Sequence, residues 1–234
     1  MLAGCDTPLS TLAPAGPAAE AIGGLWWGML IGAGGLTLMV LALVALGFRA
    51  PAAMAGRQPR AGFWTHGMGV GFSLAILAVV VGAGIWTGER LQPHADPDVV
   101  SVEARGRQWA WSFRQPDATG AMVETEGRLF IPAGRPVDVH VSSADVIHSF
   151  WVPRLAGKMD AIPGRTNILR IEARAPGIYE GLSAEFSGPG YGGMRFQVIA
   201  YPPEDPPAFV DTPGLPGAAA TEPTPAMPVE GAEE

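Results

Sequence analysis

Residues 21–48 read AIGGLWWGMLIGAGGLTLMVLALVALGF and contain no Asp, Glu, Lys, Arg or His. As an α-helix, a run of that length extends about 42 Å, enough to cross the hydrocarbon core of a bilayer with some tilt. Residues 61–88, AGFWTHGMGVGFSLAILAVVVGAGIWTG, repeat the pattern with His66 as the lone ionisable group. Arg49, Arg57 and Arg60 lie between the two runs without an acid among them. Short loops rich in Arg and Lys stay on the cytoplasmic side, so both outer flanks are predicted to face the periplasm. Trp26, Trp27, Trp64 and Trp86 fall near the ends of the runs, where amphipathic rings favour the headgroup layer. Two buried helices of a soluble protein would rarely need such lengths.

Composition agrees with a chain partly in lipid: 48% of residues are hydrophobic and 16% charged. The net charge of −7 is located rather than general. Residues 196–234 hold seven acids and no Lys or Arg, which leaves the first 195 residues balanced at 15 against 15. Acidity therefore belongs to a tail, and nucleic acid, which requires a basic face, is excluded as a partner. Nine of the 23 prolines lie beyond Tyr201, and with little to bury, residues 202–234 are predicted to be a disordered appendage. Cys5 is the sole cysteine, so no intramolecular disulfide can form and a thiolate-rich metal site elsewhere in the chain is ruled out. Leu2-Ala3-Gly4-Cys5 resembles a bacterial lipobox, making Cys5 a candidate for lipidation, although neither a charged nor an apolar signal region precedes it. An unmodified cysteine near the terminus is the alternative.

After Gly88 the pattern changes to short alternating apolar runs broken by Gly and Pro. Val137, Val139 and Val141 alternate with Asp138 and His140, so the valines should face a core and the polar residues solvent. Residues 99–104, 128–131, 167–173 and 194–200 read as further strands, with turn signals at Pro132-Ala133-Gly134 and Pro176-Gly177. The spacing predicts a sandwich or small barrel. The expected layout is an N-terminal periplasmic segment at 1–20, a transmembrane hairpin at 21–88, a β domain at 89–201 and the tail at 202–234.

Three strings in the β domain carry the chemistry. The first is Gln108-Trp109-Ala110-Trp111-Ser112-Phe113. The second runs from Val146-Ile147-His148-Ser149-Phe150-Trp151-Val152-Pro153-Arg154-Leu155 through Lys158-Met159-Asp160-Ala161-Ile162-Pro163-Gly164-Arg165. The third is Ser183-Ala184-Glu185-Phe186-Ser187-Gly188-Pro189-Gly190-Tyr191-Gly192-Gly193-Met194. With the two spans, these resemble subunit II of haem-copper respiratory oxidases over roughly residues 20 to 201. The resemblance implies a cupredoxin-like domain behind a two-helix anchor. It also implies a bacterial cytoplasmic-membrane, multi-pass location, with the N-terminus and the cupredoxin-like domain in the periplasm.

In the cytochrome c-oxidising branch of that family, a dinuclear copper centre, CuA, is held by a distant His and by Cys, Glu, Cys, His and Met on one loop. Laid on this sequence, His148, Glu185 and Met194 match. Ser183 and Ser187 stand at the two cysteine positions, and Tyr191 at the second histidine position. The coppers of such a pair are bridged by thiolates, and soft sulfur holds copper while it cycles to Cu(I). A serine hydroxyl stays protonated at neutral pH where a metal makes a cysteine a thiolate. The loop therefore looks like that of the quinol oxidase (cytochrome bo-like) branch, a degenerate CuA site. On this reading the subunit binds no cofactor. Haems and CuB reside in subunit I, the complex takes quinol as substrate, and further membrane subunits and lipid surround it. Ser183, Ser187 and Tyr191 can hydrogen-bond within the loop, so that the former ligand pocket can close without a metal.

Other positions keep the cytochrome c-type pattern. Glu185 is a candidate ligand for an interface Mg or Mn ion, which suits carboxylate oxygen. Trp109 and Trp111 match an electron-entry string, or else form a pair on one face of a strand, packed for area. His148 and Met194 could retain a single copper, although two ligands without a thiolate fall short of the usual set. His66, near the cytoplasmic start of the second span, is an interfacial histidine or a proton-path residue. Family members commonly place a carboxylate near that point, and Pro59-Arg60-Ala61-Gly62 offers none. Two alternatives to the quinol oxidase reading remain: subunit II of a cytochrome c oxidase, and a membrane-tethered cupredoxin in copper handling.

Overall fold

The computed structural model describes residues 7–49, 60–94, 99–117 and 119–204. The lipobox-like string with Cys5, Arg57 of the loop and the tail beyond Glu204 lie outside the described residues.

Helix α1 runs Pro17–Arg49 and a second helix runs from Phe63 to Leu91, wound as a π-helix over Phe63–Phe72 and as α2 over Ser73–Leu91. Neither helix buries any of its most apolar window against protein. A core helix of a soluble protein would be mostly covered, whereas here Ile31, Leu38, Val79 and Ile85 point outward. Such apolar girdles are stable only in an apolar solvent.

Among the described residues the β domain is a sandwich of ten strands in two five-stranded sheets. The first sheet orders β3 (Met122–Glu126), β2 (Ala110–Pro116), β1 (Val100–Arg107), β5 (Val137–Ser143) and β8 (Asn167–Ile171). The second orders β4 (Arg128–Pro132), β10 (Arg195–Tyr201), β9 (Gly177–Ser183), β6 (His148–Trp151) and β7 (Met159–Ala161). Pairing is parallel for β1 with β5 and for β10 with β4, and antiparallel for the rest. The expected fold class, a two-helix hairpin followed by a cupredoxin-like β-sandwich, is the one found. Val137, Val139 and Val141 are fully buried while Asp138 and His140 lie on the outer face, as the period of two requires.

Between the sheets, Trp111, Phe113, Phe150 and Phe196 form an aromatic cluster with ring centroids 4.7 to 6.5 Å apart. Each fully buried ring contributes roughly 1.5–3 kcal/mol from lost water contact. Gly181 gives the space for it, since a Cβ there would land inside the Phe196 ring. The buried Gln115 side chain joins the two sheets: its amide donates to Thr125 Oγ1 at 2.9 Å and its oxygen accepts the Phe130 N–H at 2.8 Å.

The segment before α1 is bound to the sandwich. The N–H groups of Ala15 and Gly16 donate to the Arg154 carbonyl at 2.7 and 3.1 Å, Ala19 N–H to Leu155 at 3.1 Å, and Arg174 N–H to Ala15 at 3.0 Å. Arg174 and Glu20 form an ion pair across the same junction. Gly16 is required there because a Cβ would strike the Leu155 and Glu172 carbonyls. The first turn of α1 is thereby fixed in direction by the domain it carries.

Candidate functional site: the loop between β9 and β10

Residues 184–194 connect β9 to β10, and both ends of the connection are tied down. Ser183 N–H donates to the Met194 carbonyl and Ala184 N–H to the Ser149 carbonyl, each at 3.0 Å. Because β6 pairs with β9 through Phe150 and Ser183, the loop closes beside His148, the first residue of β6. The structure thus brings His148, Ser183, Ser187 and Met194 to one buried end of the sandwich.

His148 is 0% exposed and lies against Gly106, where a Cβ would come within 2.9 Å of the imidazole Cδ2. Its Nε2 is 2.9 Å from Asp145 Oδ1. The carboxylate also accepts the N–H groups of Gln108 at 2.7 Å and Val146 at 2.6 Å. Partial burial pushes the Asp145 carboxyl up, but the Gln108 N–H, the His148 ring and the Val146 N–H outweigh it and lower the pKa to about 2. An ionised carboxylate accepts only, so the ring donates from Nε2 and, when neutral, presents its Nδ1 lone pair on the other side. Nδ1 is buried and has no partner among the described residues. Carboxylate, imidazole and a bare ring nitrogen make the usual support for a metal-binding histidine.

The rest of the donor set does not match that histidine. Ser183 Oγ accepts the Ser149 N–H at 3.3 Å, whereas the buried Ser187 Oγ has no partner among the described residues. Tyr191 is 39% exposed and packs edge-on to Phe186 at 5.1 Å, outside the pocket. Of the three groups that can close the pocket, Ser183 bonds to Ser149 of β6, while Ser187 Oγ has no partner among the described residues. The Tyr191 ring finds an aromatic neighbour, Phe186, at the surface. Two hydroxyls, one imidazole and one thioether do not fit a thiolate-bridged copper pair.

Trp109 and Trp111 are not a pair on one strand face, which corrects that expectation. Trp109 precedes β2, follows a cis peptide bond from Gln108, and is 42% exposed. It covers the 188–190 turn, with its indole N–H and the Gln108 amide both donating to the Ser187 carbonyl, at 3.1 and 2.8 Å. Gly190 lies so close beneath its ring that a Cβ would overlap it. Trp111, by contrast, is 1% exposed and belongs to the core, its ring 6.2 Å from that of His148. One indole borders the loop from outside and the other supports it from within.

Glu185 is a surface residue whose Oε2 lies 3.8 Å from Lys158 Nζ, an ammonium shared with Asp160 at 3.5 Å. A resident ammonium shared by Glu185 and Asp160 does not fit a dication held by this chain alone. Among the described residues no group of three His, Cys, Asp or Glu side chains is placed to hold a metal ion. His66 and His94 are exposed, His66 accepting or donating to Thr65 Oγ1 at 3.1 Å. Sequence reasoning missed Asp145; its signal was the Asp-x-x-His spacing, three residues ahead of the candidate ligand.

Because the Asp145 pKa is depressed on folding, its stabilising contribution is complete above the ordinary value near 3.8 and is lost as pH falls through about 2. The thermal midpoint of the chain in detergent, followed from about pH 5 to pH 2, should therefore fall less steeply for Asp145→Asn than for the unmodified chain. Parallel pH profiles would show that Asp145 is not ion-paired or hydrogen-bonded as described.

Residues 117–200 match the family model described as the periplasmic domain of cytochrome c oxidase subunit II. Cytochrome c oxidase subunit 2 of Alkalihalophilus pseudofirmus is 34% identical over 160 residues, 68% of this chain and 45% of that protein. Quinol oxidase subunit 2 of Bacillus cereus is 30% identical over 220 residues, 85% of this chain and 71% of that protein. The chain thus spans less than half the length of the first of these relatives. Among solved structures, the periplasmic domain of cytochrome oxidase subunit II from Bradyrhizobium japonicum aligns with a TM-score of 0.42 at 28% identity, over 48% of this chain and 88% of that one.

Proposed function

The chain belongs to the subunit II family of haem-copper terminal oxidases, and from that membership we propose that it serves a quinol-oxidising enzyme as a scaffold that carries no electrons itself. The observation behind this reading is the donor set of the 184–194 loop, where Ser183 and Ser187 occupy the cysteine positions and Tyr191 turns outward. Without bridging thiolates there is no dinuclear centre to accept an electron from cytochrome c. Quinol, oxidised within the membrane, would pass electrons to the haems of subunit I directly. The subunit's contribution is then mechanical. The α1 junction fixes the sandwich on the membrane hairpin through the Arg154, Leu155 and Arg174 backbone contacts, so that the domain can cover the periplasmic face of subunit I. Glu185 would offer one carboxylate to an interface dication, with the remaining ligands supplied by subunit I and Lys158 displaced.

A second reading, subunit II of a cytochrome c oxidase, is favoured by the exposed Trp109 over the loop and by the intact Asp145 and His148 pair. Turnover of the purified complex separates the two. Oxygen consumption should proceed with a reduced quinol, and reduced cytochrome c without quinol should support on the order of a hundredth of that rate or less, as the loss of an entry site implies. Comparable rates from cytochrome c alone would overturn the proposal.

A further inference from the structure

On the outer face of the first sheet lies a polar groove of about 780 Å³ that the scaffold role leaves without a use. Glu103, Arg105, His140, Ser142, Arg165 and Thr166 line it. The register explains the grouping, since Glu103 pairs with His140 and Arg105 with Ser142 across β1 and β5, while the alternate residues are buried in the core. The other charges of this face cancel locally. Glu103 is 3.6 Å from Arg114, Arg107 pairs with Glu126, and Arg170 holds Asp138 at 2.7 Å. Arg105 and Arg165 have no carboxylate partner among the described residues. Two guanidinium forks, flanked by the Ser142 and Thr166 hydroxyls, form a donor array suited to carboxylates.

We propose that this groove docks acidic residues of the chain's own segment 204–234. That segment carries seven acids and no Lys or Arg, the complement of the unpaired arginines. It leaves the sandwich at Tyr201, whose carbonyl accepts the Ala133 N–H at 2.8 Å, just ahead of β5, the strand that lines the groove. From Tyr201 to Asp211 an extended chain reaches about 33 Å. The path requires one sheet spacing of about 10 Å and about 17 Å along β5, so the first acids of the segment can arrive. Tethering places them at millimolar effective concentration, where weak pairs suffice. Lipid headgroups are less well placed. Arg170 donates to the His94 carbonyl just after α2, which marks the membrane-side end of this face, and the row of Arg105 and Ser142 lies about 13 Å further along the strands.

The test uses the full chain in detergent with Cys5→Ser, and nitroxides on Ile168→Cys, which neighbours His140 on the same face, and Thr221→Cys in the tail. Pulsed electron resonance at low salt should show a distance component below about 35 Å. Arg105→Gln with Arg165→Gln, or about 0.5 M salt, should reduce that component by about threefold or more. Both arginines are exposed, and a far-ultraviolet spectrum checks that the variant keeps its fold. A broad distribution identical in all samples overturns the proposal, as does a short component that survives the loss of both arginines.

Discussion

A chain carrying Ser183→Cys, Ser187→Cys and Tyr191→His together is expected to bind a pair of copper ions and develop intense thiolate-to-copper absorption, where the unmodified chain shows none. The scaffold for such a site is still present. The loop ends are clamped by the Ser183 and Ala184 backbone bonds, Met194 is buried, and Asp145 orients His148 so that its free Nδ1 is available. What is missing is sulfur: bridging thiolates are the soft donors that hold a pair of this kind as it cycles to Cu(I). The two cysteines without Tyr191→His should bind copper more weakly, because the Tyr191 phenol, packed on Phe186, offers no fourth strong donor. Copper titration followed by visible and near-infrared spectra reads the outcome. A folded triple variant that takes up no copper would mean that the loop has closed in a way the described contacts do not capture.

The largest loss of stability should come from Trp111→Ala, by about 3–5 kcal/mol, the range for deleting a large buried ring. Trp111 contacts Phe113, Phe150, Phe196 and the His148 ring, so its removal opens a cavity beneath the loop as well as between the sheets. Trp111→Phe should cost far less. The indole N–H is buried without a partner among the described residues, and an unsatisfied donor itself costs about 1–3 kcal/mol. Denaturant unfolding of the detergent-solubilised chain measures both. Equal losses for Ala and Phe would mean that ring burial is not what Trp111 contributes.

The two helices were legible because a bilayer demands long apolar runs and tolerates little else, and β5 because a half-buried strand alternates. β6 was harder to read: His148, Ser149 and Phe150 are all buried, so no period of two is visible, and the polar pair is accommodated only through Asp145 and Asp160, residues apart in sequence. That the loop holds no cysteine was legible, being a fact of composition. Its geometry was not. Tyr191 packs on Phe186 at the surface, and Trp109 sits in the turn between β1 and β2 while Trp111 lies within β2, which places one on the surface and one in the core. The bond between the pre-α1 segment and the sandwich was also hidden, being made almost wholly of backbone groups.

Copper bound by this polypeptide in the intact oxidase particle is the quantity on which the account turns. Metal analysis with electron resonance and near-infrared absorption, after subtracting the copper of subunit I, should find none assignable to this subunit. A mixed-valence copper pair held by residues of the 184–194 loop and His148 would contradict it.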